Sequence, residues 1–138
     1  MNKRLMWTDI GSKTVLVIDQ TGLDVTDSIA LLRHTGNIIV NSGKGNIVAI
    51  LNMHGSKMSA NLLRAAQSTM YHTIGLIQEV IIVGDPRTQE FIKDAFARQR
   101  FFKLKTASSI EEAKQKVTGY SSISSLFNLV NLLGRSSQ

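Results

Sequence analysis

Three histidines, ten carboxylates and a scatter of serines are the chain's main stock of catalytic or ligating side chains, because its 138 residues include no cysteine. That composition removes disulfides, thiolate metal sites and cysteine nucleophiles together. His34, His54 and His72 match no metal-motif spacing, and neither His34 nor His72 has an acidic companion nearby, so no metal and no cofactor are expected. A Ser–His–Asp trio can be assembled on paper from Ser56, His54 and Asp19. No nucleophile elbow surrounds that serine, however, and almost any sequence supplies such a trio. Ser42-Gly-Lys-Gly-Asn46 resembles a phosphate loop in composition only. It leads into a strand rather than opening a helix, so no helix amides would face a phosphate. The chain reads as non-enzymatic.

The segment Asn52-Met-His-Gly-Ser-Lys-Met-Ser59 carries more information. It follows an apolar run and launches a helix, which puts Ser56 or Ser59 where free helix amides gather. A serine there is an N-cap worth about 1 kcal/mol, and the same place would stabilise a phosphoryl dianion. Behind it, Arg64 is the only full charge between Lys57 and Glu79. The outward positions of that helix read as Asn61, Gln67, Ser68, Thr69, His72 and Thr73. Interface cores are depleted in charge, so a protein contact is expected here. The candidate partner-binding or phospho-acceptor residues are His54, Ser56, Lys57, Ser59, Asn61, Arg64, Gln67 and Ser68.

These residues are positioned by an alternating series of elements. Val15-Leu-Val-Ile18 is a β-branched apolar run ended by Asp19 and a Thr21-Gly22 turn, the signature of a buried strand. Asp24 or Thr26 can cap a helix over about 26–35, stopped by Gly36-Asn37, and Ile38–Val40 reads as a short strand or a remnant of that helix. Ile47–Leu51 is the second strand, followed by a long helix to about Ile74 with Leu63, Ala66, Met70 and Ile74 on one face. Val80–Val83 is the third strand. Asp85 and Pro86 then suit the start of another helix, whose apolar face is Phe91, Ile92, Ala95 and Phe96. Phe102–Thr106 is the last strand. Ser108 with Glu111, or Ser109 with Glu112, forms a capping box for the final helix. An extra strand around Arg4–Thr8 can pair antiparallel with Val15–Ile18 across Gly11-Ser12. Strand and helix in alternation predict an α/β fold with a mostly parallel sheet of four to five strands.

The organisation expected is an α/β domain over 1–118 and an apolar helical tail over 119–138. The tail carries one charge, Arg135, and Leu126, Phe127, Val130 and Leu133 fall on one helical stripe. Such a stripe is buried on its own domain, on a twin subunit in a homodimer, or on a partner. A membrane contact through 123–133 is disfavoured by the lack of lysines on its polar side. The net charge is +6 and the isoelectric point about 9.9. The densest basic group, Arg98, Arg100, Lys103 and Lys105, brackets Phe101 and Phe102, a pattern that single-strand binders use. It fits a solvated helix end entering a core strand better, so nucleic acid is not the expected partner. With no secretory pattern at the start and no run of about 20 apolar residues, a cytoplasmic location is expected.

In this element order the chain resembles the STAS-like family, particularly its SpoIIAA-like and SEC14-like bacterial domains, which share the anti-sigma-factor-antagonist fold. The resemblance runs from about Lys13 to Val117. It rests on Val15-Leu-Val-Ile-Asp19 leading to Gly22-Leu23, Ile47–Leu51 entering the long helix, Val80-Ile-Ile-Val-Gly84, and Phe102-Lys-Leu-Lys with Ser109-Ile-Glu-Glu-Ala113. Regulatory members carry a phosphorylatable serine in an Asp-Ser-Ser/Ala-Gly-Leu motif at the start of the helix after this strand. That motif is absent here, and only its location carries over, to Ser56 or Ser59. The resemblance implies a small non-catalytic domain that recognises a protein, or alternatively carries a small molecule or lipid. The carrier role requires an apolar cavity between sheet and helices. A response-regulator receiver is a second resemblance, through Val17-Ile-Asp19, Leu51-Asn52-Met53 and Phe102-Lys103. It places Asn52 where the acceptor aspartate should stand, and the span from Asp19 to Asn52 is short for that fold.

Overall fold

The computed structural model describes residues 2–118, which form one five-stranded sheet with helices on both faces. The expected tail helix over 119–138 lies outside the described residues. After a single turn of 3₁₀ helix, β1 (Leu5–Ile10) and β2 (Lys13–Asp19) make an antiparallel hairpin. Ile10 pairs with Lys13 across Gly11-Ser12, and Gly11 takes φ 61°, the left-handed conformation that tight hairpin turns demand. The remainder is α1 (Val25–Asn41), β3 (Ile47–Asn52), α2 (Ala60–His72), β4 (Ile77–Val83), α3 (Pro86–Ala95), β5 (Lys103–Ala107) and α4 (Ile110–Thr118). Strands β2 to β5 are parallel, and the spatial order is the sequence order, β1-β2-β3-β4-β5.

That order decides where the helices go. Right-handed crossovers that always step to the next strand leave α1, α2 and α3 on the same face. Only α4 is free to cover the other. The strand residues divide accordingly. Val15, Val17, Val48, Ile50, Ile81 and Val83 pack with Ala113 and Val117 of α4. Leu16, Ile18, Ile47, Ala49 and Ile82 face α1 to α3. Burial on both faces explains why these strands read as continuous apolar runs rather than alternating ones.

Two expectations are corrected. Gly36 does not stop α1, which runs on to Asn41 and ends at Ser42, with Gly43 at φ 73°. Gly36 is instead the site of closest approach to α2: a Cβ there would lie 3.3 Å from His72 Cδ2 and 3.4 Å from Thr69 Cγ2. Ile38–Val40 is therefore the last turn of this helix, with Ile39 buried, and His34 lies mid-helix. In α2 the most buried residues are Leu62, Ala65 and Met70, with the C-cap Thr73; of the expected stripe Met70 is buried, Leu63 and Ala66 are half-buried against the same core, and only Ile74 falls outside it. Ile74 is exposed, and Thr69 and Thr73 point inward. The inward turn of Thr69 and Thr73 accompanies close packing of α2 along α1, where Thr69 Oγ1 donates to Leu32 O. The caps resolve as Asp24 for α1, Ser59 for α2, Asp85 for α3 and Ser109 for α4, whose Oγ accepts from Glu112 N while Glu112 reaches back to the Ser108 amide.

Candidate functional site

The loops beyond the carboxyl ends of β2, β3, β4 and β5 converge, as they must in a parallel sheet. The turn Asn52–Ser59 is their centre. Met53 N donates to Val83 O (2.8 Å) and Ser56 N to Met53 O (3.0 Å), while Gly55 takes φ 75° to reverse the chain. Ser56 Oγ donates to the carbonyl of Gln20 (2.9 Å), tying this turn to the end of β2. His54 Nε2 lies 2.9 Å from the carbonyl of Ser108, tying it to the end of β5. Ser59 Oγ accepts from Leu62 N (3.1 Å).

The serines and the histidine are thus joined to backbone groups, and the paper trio does not assemble. Asp19 Oδ1 is engaged by Thr21 N (2.9 Å) and Thr21 Oγ1 (2.6 Å), with Arg4 also beside it (3.8 Å). Asp85 is held below the ordinary carboxylate range mainly by the Thr88 amide, then by the Thr88 hydroxyl, with lesser help from the Arg87 amide and the charge of His54. That is the electrostatics of a helix cap. Among the described residues no group of three potential ligands could hold a metal ion. Of the other expected residues, Lys57, Asn61, Arg64 and Ser68 are exposed, Gln67 is half-buried, and Arg64 donates to Asn61 Oδ1.

Beneath α2 lies a feature without a sequence signature of its own. A partly open cavity of about 100 Å³ lies between α1, α2, α3 and the sheet, floored by Ile18, Ala49, Leu51, Val80, Ile82 and Leu104. Its polar lining residues are Thr35, Ser59, Thr69 and Thr73, and every one of those hydroxyls is engaged. Thr35 donates to Leu31 O (2.7 Å), Thr69 to Leu32 O (3.4 Å) and Thr73 to Thr69 O (2.8 Å), and Ser59 caps α2. No free hydrogen-bonding group lines the space, so water gains nothing there and an apolar occupant does. Three of the chain's five methionines, Met53, Met58 and Met70, line it. Unbranched thioethers adapt their shape to an occupant, and this clustering is the signal a sequence reading could have used. The mouth faces outward between α2 and α3. Phe91 lines the cavity yet is 39% exposed, and at the surface Tyr71 (61%) stacks edge-on with Phe101 (42%) at 5.7 Å.

Just beyond the end of β2, Gln20 is fully buried and its carboxamide has no hydrogen-bond partner among the described residues. Its backbone N–H bonds Asn52 O (2.9 Å), so the strand pairing continues through it and parity places it on the face of Ile18. On the opposite face, Lys13, Lys103, Lys105 and Lys116 rim a groove around Glu79, which is buried and paired with Lys105 at 2.6 Å. The basic cluster expected around residues 98–105 is thereby split. Its lysines serve this groove, while Arg98 and Arg100 are exposed.

No family model matches the chain, and no curated protein matches it. A solved structure does: an uncharacterised protein of the DUF3478 family from Shewanella loihica PV-4, described as having a SpoIIAA-like fold. The two superpose with a TM-score of 0.60 over 79% of this chain and 88% of that one, at 14% identity. The fold is SpoIIAA-like. The STAS-type architecture expected from the strand and helix order is thus the observed one, and the receiver alternative gives way to it. At that identity the SpoIIAA-like match speaks for the arrangement of the backbone alone. Among the described residues no helix is long and apolar enough to cross a membrane.

Proposed function

We propose that this SpoIIAA-like domain is a non-catalytic binding module that holds a small apolar molecule, or one end of an acyl-like chain, between α2, α3 and the sheet. The observation that carries the reading is the cavity whose lining hydroxyls are all engaged. At about 100 Å³ it is smaller than the roughly 150 Å³ cavity that accommodates benzene in another protein. A larger ligand therefore requires α2 to move off the sheet. That motion would part Leu62, Ala65 and Met70 of α2 from Leu51, Val80 and Ile82 of the sheet, while the Ser59 cap and the packing along α1 could persist.

The test is a fluorescence titration with 1-N-phenylnaphthylamine, a neutral probe that brightens in apolar surroundings, on protein first stripped with organic solvent and refolded. Saturable binding that Ala66→Trp abolishes, without loss of the folded state, is the expected result. Binding that ignores the substitution, or no saturable binding, refutes the cleft.

A second reading is a protein contact along the turn 54–59 and the outer side of α2, with a second copy of this chain as one possible partner. The specific observation in its favour is that the exposed side chains of α2, Asn61, Arg64, Ser68, Tyr71 and His72, include only Arg64 as a formal charge, with Lys57 the one other on the turn. Arg64→Glu combined with Ser68→Glu should shift self-association in sedimentation velocity. An unchanged sedimentation profile removes the homodimer form of this reading.

A further inference from the structure

We propose that the lysine-rimmed groove on the α4 face binds a small polyphosphate, a free molecule carrying two or more phosphoryl groups. The groove lies across the sheet from the apolar cleft, and the two sites stand or fall independently.

Convergence of charge is the first support. The groove, of about 680 Å³, crosses the amino ends of the strands from the Gly11-Ser12 turn to β5, with the last turn of α4 as its wall. Lys13 comes from β2, Lys103 and Lys105 from β5, and Lys116 from α4. Strand parity turns Lys13 to this face with Val15 and Val17, and Lys103 and Lys105 with Ala107. Four positive charges here meet two negative ones, Glu79 and Glu112, which leaves a surplus of two. Like charges gathered in this way repel one another, and a bound anion relieves that cost. A groove lined by one sign of charge over apolar walls also concentrates its field on such a ligand.

The second support is that part of the site is already held in place. Glu79 lines the groove at only 6% exposure and keeps Lys105 Nζ at 2.6 Å. Lys116 Nζ donates to Thr106 O (2.5 Å) and lies 3.4 Å from Glu112 Oε2. Two of the four ammonium groups are therefore positioned by the fold. Those of Lys13 and Lys103 have no hydrogen bond or ion pair among the described residues, and they are the groups left to take a ligand.

The identity of the cations points to phosphate. All four are lysines, whose compact ammonium groups suit tetrahedral oxygens, whereas flat bidentate recognition of carboxylates is the province of arginine. Lys13 and Lys103 stand on strands three spacings apart, about 14 Å, so a ligand that engages both ends carries its charge on more than one phosphoryl group. A nucleic-acid strand fits less well. No aromatic residue lines the groove for bases to stack on, Phe101 is turned to Tyr71, and Arg98 and Arg100 lie outside it.

The test is calorimetric titration of the full chain with sodium tripolyphosphate at low ionic strength. Saturable one-to-one binding is expected, weakening as salt is raised to about 0.15 M. Lys13→Gln with Lys103→Gln should lower the affinity about tenfold or more, a factor that one lost charge-assisted contact can supply. Arg98→Gln with Arg100→Gln removes the same net charge outside the groove and should leave the affinity unchanged. In spectra of the labelled protein, tripolyphosphate should shift the amide resonances of Gly11, Ser12, Glu79 and Lys103. Absence of saturable binding, equal weakening by both pairs of substitutions, or shifts confined to the turns 52–59 and 84–87 overturns the assignment. A single-stranded oligothymidylate that binds more tightly than tripolyphosphate, and is weakened by the arginine pair, overturns it in favour of a nucleic-acid surface.

Discussion

Ala49→Val puts a number on the cavity. Ala49 sits in the middle of β3 on the face beneath α2, is 3% exposed, and lines the empty space. At about 24 cal/mol per Å³, a void of about 100 Å³ costs the fold roughly 2.4 kcal/mol. Valine adds two methyl-sized groups, each worth up to about 0.8 kcal/mol when buried, and a β-branched residue suits a strand interior. The expected gain is about 1–1.5 kcal/mol, or roughly 4–8 °C in Tm for a domain near this size. Calorimetry on the ligand-stripped protein reads it directly, with Ala113→Val as control, because Ala113 is fully buried on the opposite face and lines no cavity. Overpacking should cost that control about 1–3 kcal/mol. The same Ala49→Val protein should bind the naphthylamine probe more weakly, since the new methyls occupy its space. If Ala49→Val melts lower, as Ala113→Val does, there is no usable volume under α2 and the functional reading falls with it.

Other substitutions follow from the same geometry. Gln20→Leu removes a buried carboxamide that has no partner, so the ligand-free protein should gain about 1–3 kcal/mol in urea denaturation; a loss of stability would mean the amide is satisfied. Ser59→Ala should cost about 1 kcal/mol through the lost cap of α2, and amide hydrogen exchange should locate the change in the first turn of that helix. Acid should destabilise the fold through two capping carboxylates. Both Asp85 and Glu112 have folded pKa values below their ordinary 3.8 and 4.5, Asp85 through the Thr88 amide and Glu112 through the Ser108 amide. Their contribution is therefore complete above pH 4.5, starts to fade as pH falls past those values, and is lost once pH passes through the lower folded ones. In Asp85→Asn and Glu112→Gln the decline of Tm with acid should be shallower, and an unaltered slope would refute the assignment.

Strand and helix alternation was readable because each buried strand is a compact β-branched run and each helix begins with a residue able to cap it. Asp85-Pro86 and Ser109 with Glu112 state the starts of α3 and α4 in the sequence itself. Gly36 misled for a definite reason: glycine marks helix ends by its freedom at positive φ, but it also marks places where two helices approach closely, and a single sequence does not distinguish the two. The face of α2 was legible only in part, since Leu63, Ala66 and Met70 do pack in the core while Ile74 does not. Leu62, Ala65, Thr69 and Thr73 have helical spacing too, and the buried side spans both sets because α2 faces α1 as well as the sheet. The turn 54–59 lies at the carboxyl end of the sheet, as its place after a strand predicts, yet the bonds of Ser56 to Gln20 and His54 to Ser108 join residues distant in the chain and leave no local trace. The cavity is the least legible feature, because it is defined by what α1, α2 and α3 leave unfilled between them.

Because each strand of this sheet pairs with its immediate predecessor, the fold can be built in the order in which it is synthesised. The β1–β2 hairpin forms from adjacent residues, and every later strand–helix unit then adds to the edge its predecessor has just presented. Short loop closures of this kind favour rapid folding and leave each raw edge exposed only until the next strand emerges. Among the described residues the last edge is β5, and Lys103 and Lys105 stand on it. Charged side chains at an edge discourage a second chain from continuing the ladder, so growth of the sheet ends where the supply of strands does.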